Sequence, residues 1–160
     1  STPIKSSAAS DVYKRQDLYH RQVLQPEGDP MAGNGFGIIG KLQQPVESMA
    51  FLQQVKEIFR CDRLRHTTPH TPSIQRVAVC GGAGASFFKQ ALAGQADIYI
   101  SGDFKYHDFF LTENRIMIAD IGHYESEQFT KEIFYEILTK KISKFAVQFS
   151  EINTNPIKYL

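Results

Sequence analysis

Two side chains of this 160-residue sequence have the types and spacing to do chemistry together: His123 and Glu127, in the run Asp120-Ile121-Gly122-His123-Tyr124-Glu125-Ser126-Glu127. An apolar stretch, Ile116 to Ile121, ends in a glycine, and a long amphipathic segment begins at the histidine. That is the form of a strand-to-helix turn, where open α/β sheets keep their chemistry. On a helix, residues four apart share a face with Cβ atoms roughly 6 Å apart, so the pair could hold one metal ion or share one proton. A catalytic metal normally takes three or more protein ligands, which makes the pair part of a set. Asp103, His107 and Asp120 are the local candidates for the rest, or for partners that orient the imidazole. The plainer account is that Glu125 and Glu127 lie near a helix start, where the macrodipole favours carboxylates. The pattern assigns no catalytic residue.

Strands and helices in alternation must position these groups. Ile74 to Cys80 reads as a buried strand, followed by Gly81-Gly82-Ala83-Gly84-Ala85-Ser86 and a helix from about 87 to 93 that stops at Gly94. Asp97 to Ser101 is the next strand, Gly102-Asp103 its turn, and Phe104 to Thr112 a short helix carrying His107. Arg115 to Ile121 leads into a helix over 124–141 with Phe129, Ile133, Phe134, Ile137 and Leu138 on its apolar stripe. A last strand, Lys144 to Phe149, precedes a polar tail. The alternation predicts an α/β fold: a mostly parallel sheet with right-handed crossovers and helices on both faces. The turns at 81–86, 102–103 and 122–123 should then sit side by side at the carboxyl edge. Gly81, Gly82 and Gly84 open a helix, so unpaired amides there would cradle an anionic group of a substrate. No Gly-Lys-Ser/Thr ends this turn, so it is not a Walker loop, and a tight βα turn explains the same glycines.

Upstream, residues 17–34 are polar and rich in turn formers and read as a connecting segment. Gly35-Phe36-Gly37-Ile38-Ile39-Gly40 matches the dinucleotide pattern GxGxxG, but its glycines sit inside an apolar extended stretch rather than between a strand and a helix. The better reading is a glycine-rich strand that another backbone approaches closely. Pro45, with Met49, Leu52, Val55, Ile58 and Phe59 at helical spacing, predicts a helix over 46–59. A short extended piece at 64–66 follows. His66 and His70 are four apart, yet Pro69 keeps them off one helical face, which leaves two loop histidines.

Composition excludes several classes. A 42% hydrophobic content indicates a globular chain. Asp-Val-Tyr-Lys-Arg-Gln at 11–16 looks like the translated end of a sequencing adapter, so residues 1–16 are expected to be a scar and the reading frame to begin in mid-gene. Lys and Arg total 18 and Asp and Glu 17; setting aside Lys5, Lys14, Arg15 and Asp11 leaves 15 against 16, a net charge of −1. No basic face remains for nucleic acid. Cys61 and Cys80, far apart in sequence, fit reduced thiols of a cytoplasmic protein. No apolar run reaches the ~18 residues of a membrane span.

Three motifs in order, Val77-Ala78-Val79-Cys80-Gly81-Gly82-Ala83-Gly84, Ser101-Gly102-Asp103-Phe104-Lys105-Tyr106-His107 and Asp120 to Glu127, resemble the dinuclear metal-centre proteins named after the NGG-interacting factor three, also called GTP cyclohydrolase type-two homologues. The resemblance runs from about Gly35 to the C-terminus. It implies that 35–160 is the C-terminal half-domain of a metal-binding α/β fold, and that 17–34 is the end of an insert found in longer members. It further implies that His123 and Glu127 contribute to a pair of divalent metals of zinc, iron or manganese type. The remaining ligands, a histidine pair and an aspartate, would belong to an N-terminal half missing from this chain. Ring-shaped homo-oligomers (hexamers), a small anionic or nucleotide-like substrate and metal-dependent hydrolysis are the associated expectations, with a non-catalytic metal-binding or interaction module as the alternative.

Overall fold

The computed structural model describes residues 18–28, 35–142 and 144–160. The expected adapter scar at 1–16 lies outside them, as do residues 17 and 29–34 of the expected connecting segment. In chain order the elements are β1 (Leu18–Pro26), β2 (Gly35–Glu47), α1 (Ser48–Ile58), β3 (Arg65–His66), β4 (Ser73–Val79), a 3-10 turn (Gly84–Phe87) running into α2 (Phe88–Ala93), β5 (Ile98–Ser101), a second 3-10 helix (Tyr106–Thr112), β6 (Met117–Asp120), α3 (His123–Glu127) and α4 (Thr130–Lys141).

The strands make one six-stranded sheet in the order β1-β2-β4-β5-β6-β3. The α/β class holds, but the sheet is mixed rather than mostly parallel. Only β4, β5 and β6 run parallel, while β1–β2, β2–β4 and β3–β6 are antiparallel pairs. Parallel neighbours need a long crossover, and the strand-turn-helix repeat that supplies one begins only at β4.

Successive side chains of a strand point to opposite faces, and the core divides accordingly. Val77, Val79, Ile98, Ile100, Met117 and Ala119 face α1 and Phe129 on one side. Ala78, Cys80, Tyr99, Ile116 and Ile118 face α2 and the 3-10 segments on the other, so helices cover both faces. Cys61 lies in the first layer and Cys80 in the second, and the sheet keeps these two free thiols apart. Burial pushes Cys61 up to about 12 and Cys80 up to about 11, so both stay protonated and inert.

Several expectations shift on detail. Residues 18–26 are a strand, not a connection; a bulge between Tyr19 and Gln22 breaks its alternation and hides it from a period-two reading. The GxGxxG glycines do lie on a strand, β2, and a Cβ on Gly37 would come within 2.7 Å of the Val79 carbonyl oxygen. Pro45 falls in β2, and α1 starts at Ser48, where the Glu47 carboxylate accepts from Met49 N (2.9 Å) and Ala50 N (2.7 Å). Its buried face is Phe51, Leu52 and Val55, whereas Met49 is exposed. The helix expected over 124–141 is two helices, broken at Gln128-Phe129 so that Phe129 turns into the core. Residues 144–149 pair with no strand among the described residues; Phe149 stacks on Tyr135 of α4 instead, with ring centroids 4.6 Å apart. No described helix is long and apolar enough to cross a membrane.

Candidate metal centre

The carboxyl ends of the three parallel strands are adjacent, with Val79 opposite Ile100 and Ser101 opposite Asp120. The turns after them are therefore neighbours, as the alternation of elements requires. These strands lie in sequence order, and both crossovers pack on one face. The cluster thus owes its position to close approach of turns rather than to a reversal of strand order. Gly102 N–H donates to the Gly82 carbonyl at 3.1 Å, and a Cβ on Gly102 would lie 2.9 Å from His123 N. Only glycine lets the second turn sit this close to the third.

That approach brings Asp103 onto His123. Asp103 adopts a left-handed backbone (φ 59°), and its Oδ2 is 2.7 Å from His123 Nδ1. On the other side of the ring, Nε2 is 3.3 Å from Oε2 of Glu127, the i, i+4 partner. The side chains of all three are about half exposed, at 49% for His123, 49% for Glu127 and 50% for Asp103. The Asp103 hydrogen bond, aided by the charge of Glu127 and opposed by partial burial, raises the His123 pKa above its ordinary 6.5. A carboxylate on Nδ1 fixes ring orientation and makes Nε2 the better ligand, the arrangement by which metal-binding histidines are commonly held.

Ser126, which the sequence did not single out, ties α3 to the first turn. Its buried hydroxyl donates to the His123 carbonyl (2.7 Å) and accepts from Gly82 N–H (2.7 Å). Gly82 has φ 64°, and a Cβ there would meet Glu127 Oε1 at 2.7 Å, so the first turn forms a floor beneath the carboxylate. Gly84 N–H is likewise taken, by the Gly82 carbonyl (2.9 Å) and Ser101 Oγ (3.1 Å), and Gly81 too has partners. The amides of Gly82 and Gly84 are therefore spent within the fold and are not free to cradle an anion; the tight-turn account fits them.

Asp120 and His107 separate from the cluster. Asp120 is buried, ion-paired with Arg65 from β3, and accepts from Gly122 N–H at 3.0 Å; it shapes the turn before His123. His107 is exposed on the second 3-10 helix, its ring 5.5 Å from that of Tyr106. Among the described residues no group of three or more His, Cys, Asp or Glu is placed to hold a metal ion. His123 and Glu127 nevertheless fit part of such a set: adjacent donors of the right chemistry, both reachable from solvent, one oriented from behind. The C-terminal segment closes one flank, with Asn155 Nδ2 3.4 Å from Glu125 Oε1, Arg63 donating to the Leu160 carbonyl and Arg63 lying 5.2 Å from the Tyr159 ring centroid.

Comparison with known proteins gives a consistent result. The model of the family described as Duf34/NIF3 (NGG1p interacting factor 3) matches residues 4–156. A GTP cyclohydrolase 1 type 2 homolog of Staphylococcus epidermidis is 38% identical over 130 residues, covering 78% of this chain and 35% of the relative. A protein of the same name from Streptococcus pneumoniae is 36% identical over 134 residues, covering 79% of this chain and 50% of that one. Among solved structures, a Bacillus cereus protein related to NIF3 superposes with a TM-score of 0.66 at 27% identity, over 79% of this chain and 36% of the other. The chain thus spans between about a third and a half of the length of these relatives.

Proposed function

From the premise that this chain belongs to the Duf34/NIF3 family, we propose that it is a divalent-metal-binding protein, with His123 and Glu127 as two ligands of a hydrolase-like centre. The observation that carries the reading is the ring of His123, held by Asp103 at Nδ1 and set beside Glu127 at Nε2. Two divalent ions of zinc, iron or manganese type would supply the Lewis acidity for hydrolysis near neutral pH. This chain's residues hold the imidazole in orientation through Asp103, support the Glu127 carboxylate over Gly82, and fix the start of α3 through Ser126. The remaining ligands come from outside the described residues, in keeping with the greater length of the relatives, and the same reading has the protein act as a homo-oligomer. The name of the relatives, GTP cyclohydrolase 1 type 2 homolog, supports a small anionic or nucleotide-like substrate opened by hydrolysis.

A second reading, a metal-binding or interaction module without turnover, is favoured by the ligand count, since the described residues bring together two donors rather than three. Two measurements separate the readings. Calorimetric titration of the chain with Zn2+ or Mn2+ is expected to show weak uptake that His123→Ala and Glu127→Ala each abolish; unchanged uptake in both variants removes these residues from the site. Turnover of GTP and phosphoesters by a metal-loaded, full-length relative supports the hydrolase reading, and none across a broad panel supports the module.

A further inference from the structure

His123 and Glu127 also face a solvent-open cavity of about 680 Å³ between α3, the start of α4 and residues 150–157 of the C-terminal segment. Nothing in the proposed ligand set accounts for it. Its size lies within the ~300–1,000 Å³ range of small-molecule sites and far exceeds one inorganic anion. Ile152, Pro156 and Ile157 make an apolar wall, and Tyr124 adds a flat ring. The charged groups of the lining besides His123 are Glu127 and Lys131, one of each sign. With the His123 ring already partnered by Asp103 and Glu127, the lining offers Lys131 as its one unshared counter-charge beside an extensive apolar surface, a poor match for a polyphosphate chain and a good one for a bulky body with one acidic head.

We propose that this cavity is an organic-anion subsite, taking a molecule with a flat or branched apolar body against Ile152, Pro156 and Ile157 and one anionic head between Lys131 and the His123–Glu127 pair. The inference rests on the metal reading only for what it adds to that reading, namely the substrate class. The subsite itself needs no ion, because Lys131 and the apolar wall belong to the protein. The C-terminal segment is then a specificity element: it meets the part of the molecule remote from the centre and selects for body shape.

The test uses the whole chain, kept metal-free with a chelator, and 1-naphthyl phosphate as the probe, with inorganic phosphate as the comparison. Backbone amide NMR is expected to show saturable shifts confined to residues 123–131 and 150–157 with naphthyl phosphate, and at least tenfold weaker binding of phosphate alone. Ile152→Asp and Lys131→Glu, both at exposed positions, are expected each to weaken the naphthyl phosphate at least tenfold while spectra elsewhere stay unchanged. Absence of saturable shifts, equal binding of inorganic phosphate, or indifference to both substitutions would overturn the proposal. Metal uptake compared between the wild type and His123→Ala reports separately on the metal reading, so either idea can fail without the other.

Discussion

His123 places its two ring nitrogens against different carboxylates, Asp103 at 2.7 Å and Glu127 at 3.3 Å, and in the absence of an ion both contacts favour the imidazolium. Because the folded-state pKa is raised above the ordinary 6.5, the contribution to stability is full below that value and is lost as pH rises through the folded midpoint. Half exposure of the ring keeps it small. An NMR titration of the His123 ring should give a midpoint above 6.5, and Asp103→Asn should bring it down, since the Asp103 hydrogen bond is the largest cause. A metal ligand must be deprotonated, so metal affinity should increase with pH across the same interval. Loss of the orienting carboxylate in Asp103→Asn should weaken affinity roughly 10- to 100-fold; an unchanged pH profile in that variant would separate Asp103 from the imidazole. At this scale the helical pair was legible because i, i+4 spacing is a local property. Asp103 was legible only as one of three candidates, because its reach to His123 depends on the approach of two turns that only the register of β5 and β6 defines. His107, equally plausible on paper, is carried outward by its 3-10 helix. Arg65 left no signal at all, being 55 residues from Asp120 in sequence.

At the level of elements, α3 is too short to hold itself in place, with five residues from His123 to Glu127, and short isolated helices are marginal. It depends on the Ser126 staple to the first glycine turn. Ser126→Ala leaves the buried Gly82 N–H without its partner, a loss of about 1–3 kcal/mol readable as a lower urea midpoint, and weakens metal uptake as His123 and Glu127 lose their fixed spacing. Gly82→Ala forces a side chain into a left-handed backbone, costing about 1–2 kcal/mol, and pushes against Glu127 as well. If Gly82→Ala melts with the wild type and takes up metal equally, the turn does not support the carboxylate. The parallel strands and their turns were readable because each couples a continuous apolar run to a glycine. The elements misread are those where local pattern and tertiary context disagree. Phe145, Val147 and Phe149 alternate as a strand would, yet the outer edge of β6 is occupied by Arg65–His66 and the segment packs on α4 through Tyr135 and Phe149 instead. The stripe expected along 124–141 buries Phe129 but leaves Phe134 and Leu138 exposed, at 49% and 38%.

Across the whole molecule, the sheet is secured by two apolar layers, whereas the described ties of the C-terminal segment to the body each involve a side chain. Its backbone amides make local contacts: Ile152 N–H to Ser150 Oγ at 3.3 Å, Asn155 N–H to Asn153 Oδ1 at 2.9 Å and Ile157 N–H to Asn155 Oδ1 at 3.1 Å. Ties to the body include Asn155 with Glu125 and Arg63 with Tyr159 and the Leu160 carbonyl. A segment with few buried contacts opens at a small free-energy cost, independently of the core. Arg63 is the anchor nearest its end, and an exposed cation–π contact contributes about 0.5–1 kcal/mol. Arg63→Ala should therefore raise the population of the open segment about two- to fivefold. Tryptic cleavage after Lys158 should quicken by the same factor while the thermal midpoint of the sheet is unchanged, because proteolysis of a rapidly opening segment tracks its open population. The same substitution should loosen the cavity wall at Ile152 and Pro156 without touching His123 or Glu127. Equal cleavage rates in the two proteins would place the anchor elsewhere along the segment, with Asn155 on Glu125 as the contact to remove next.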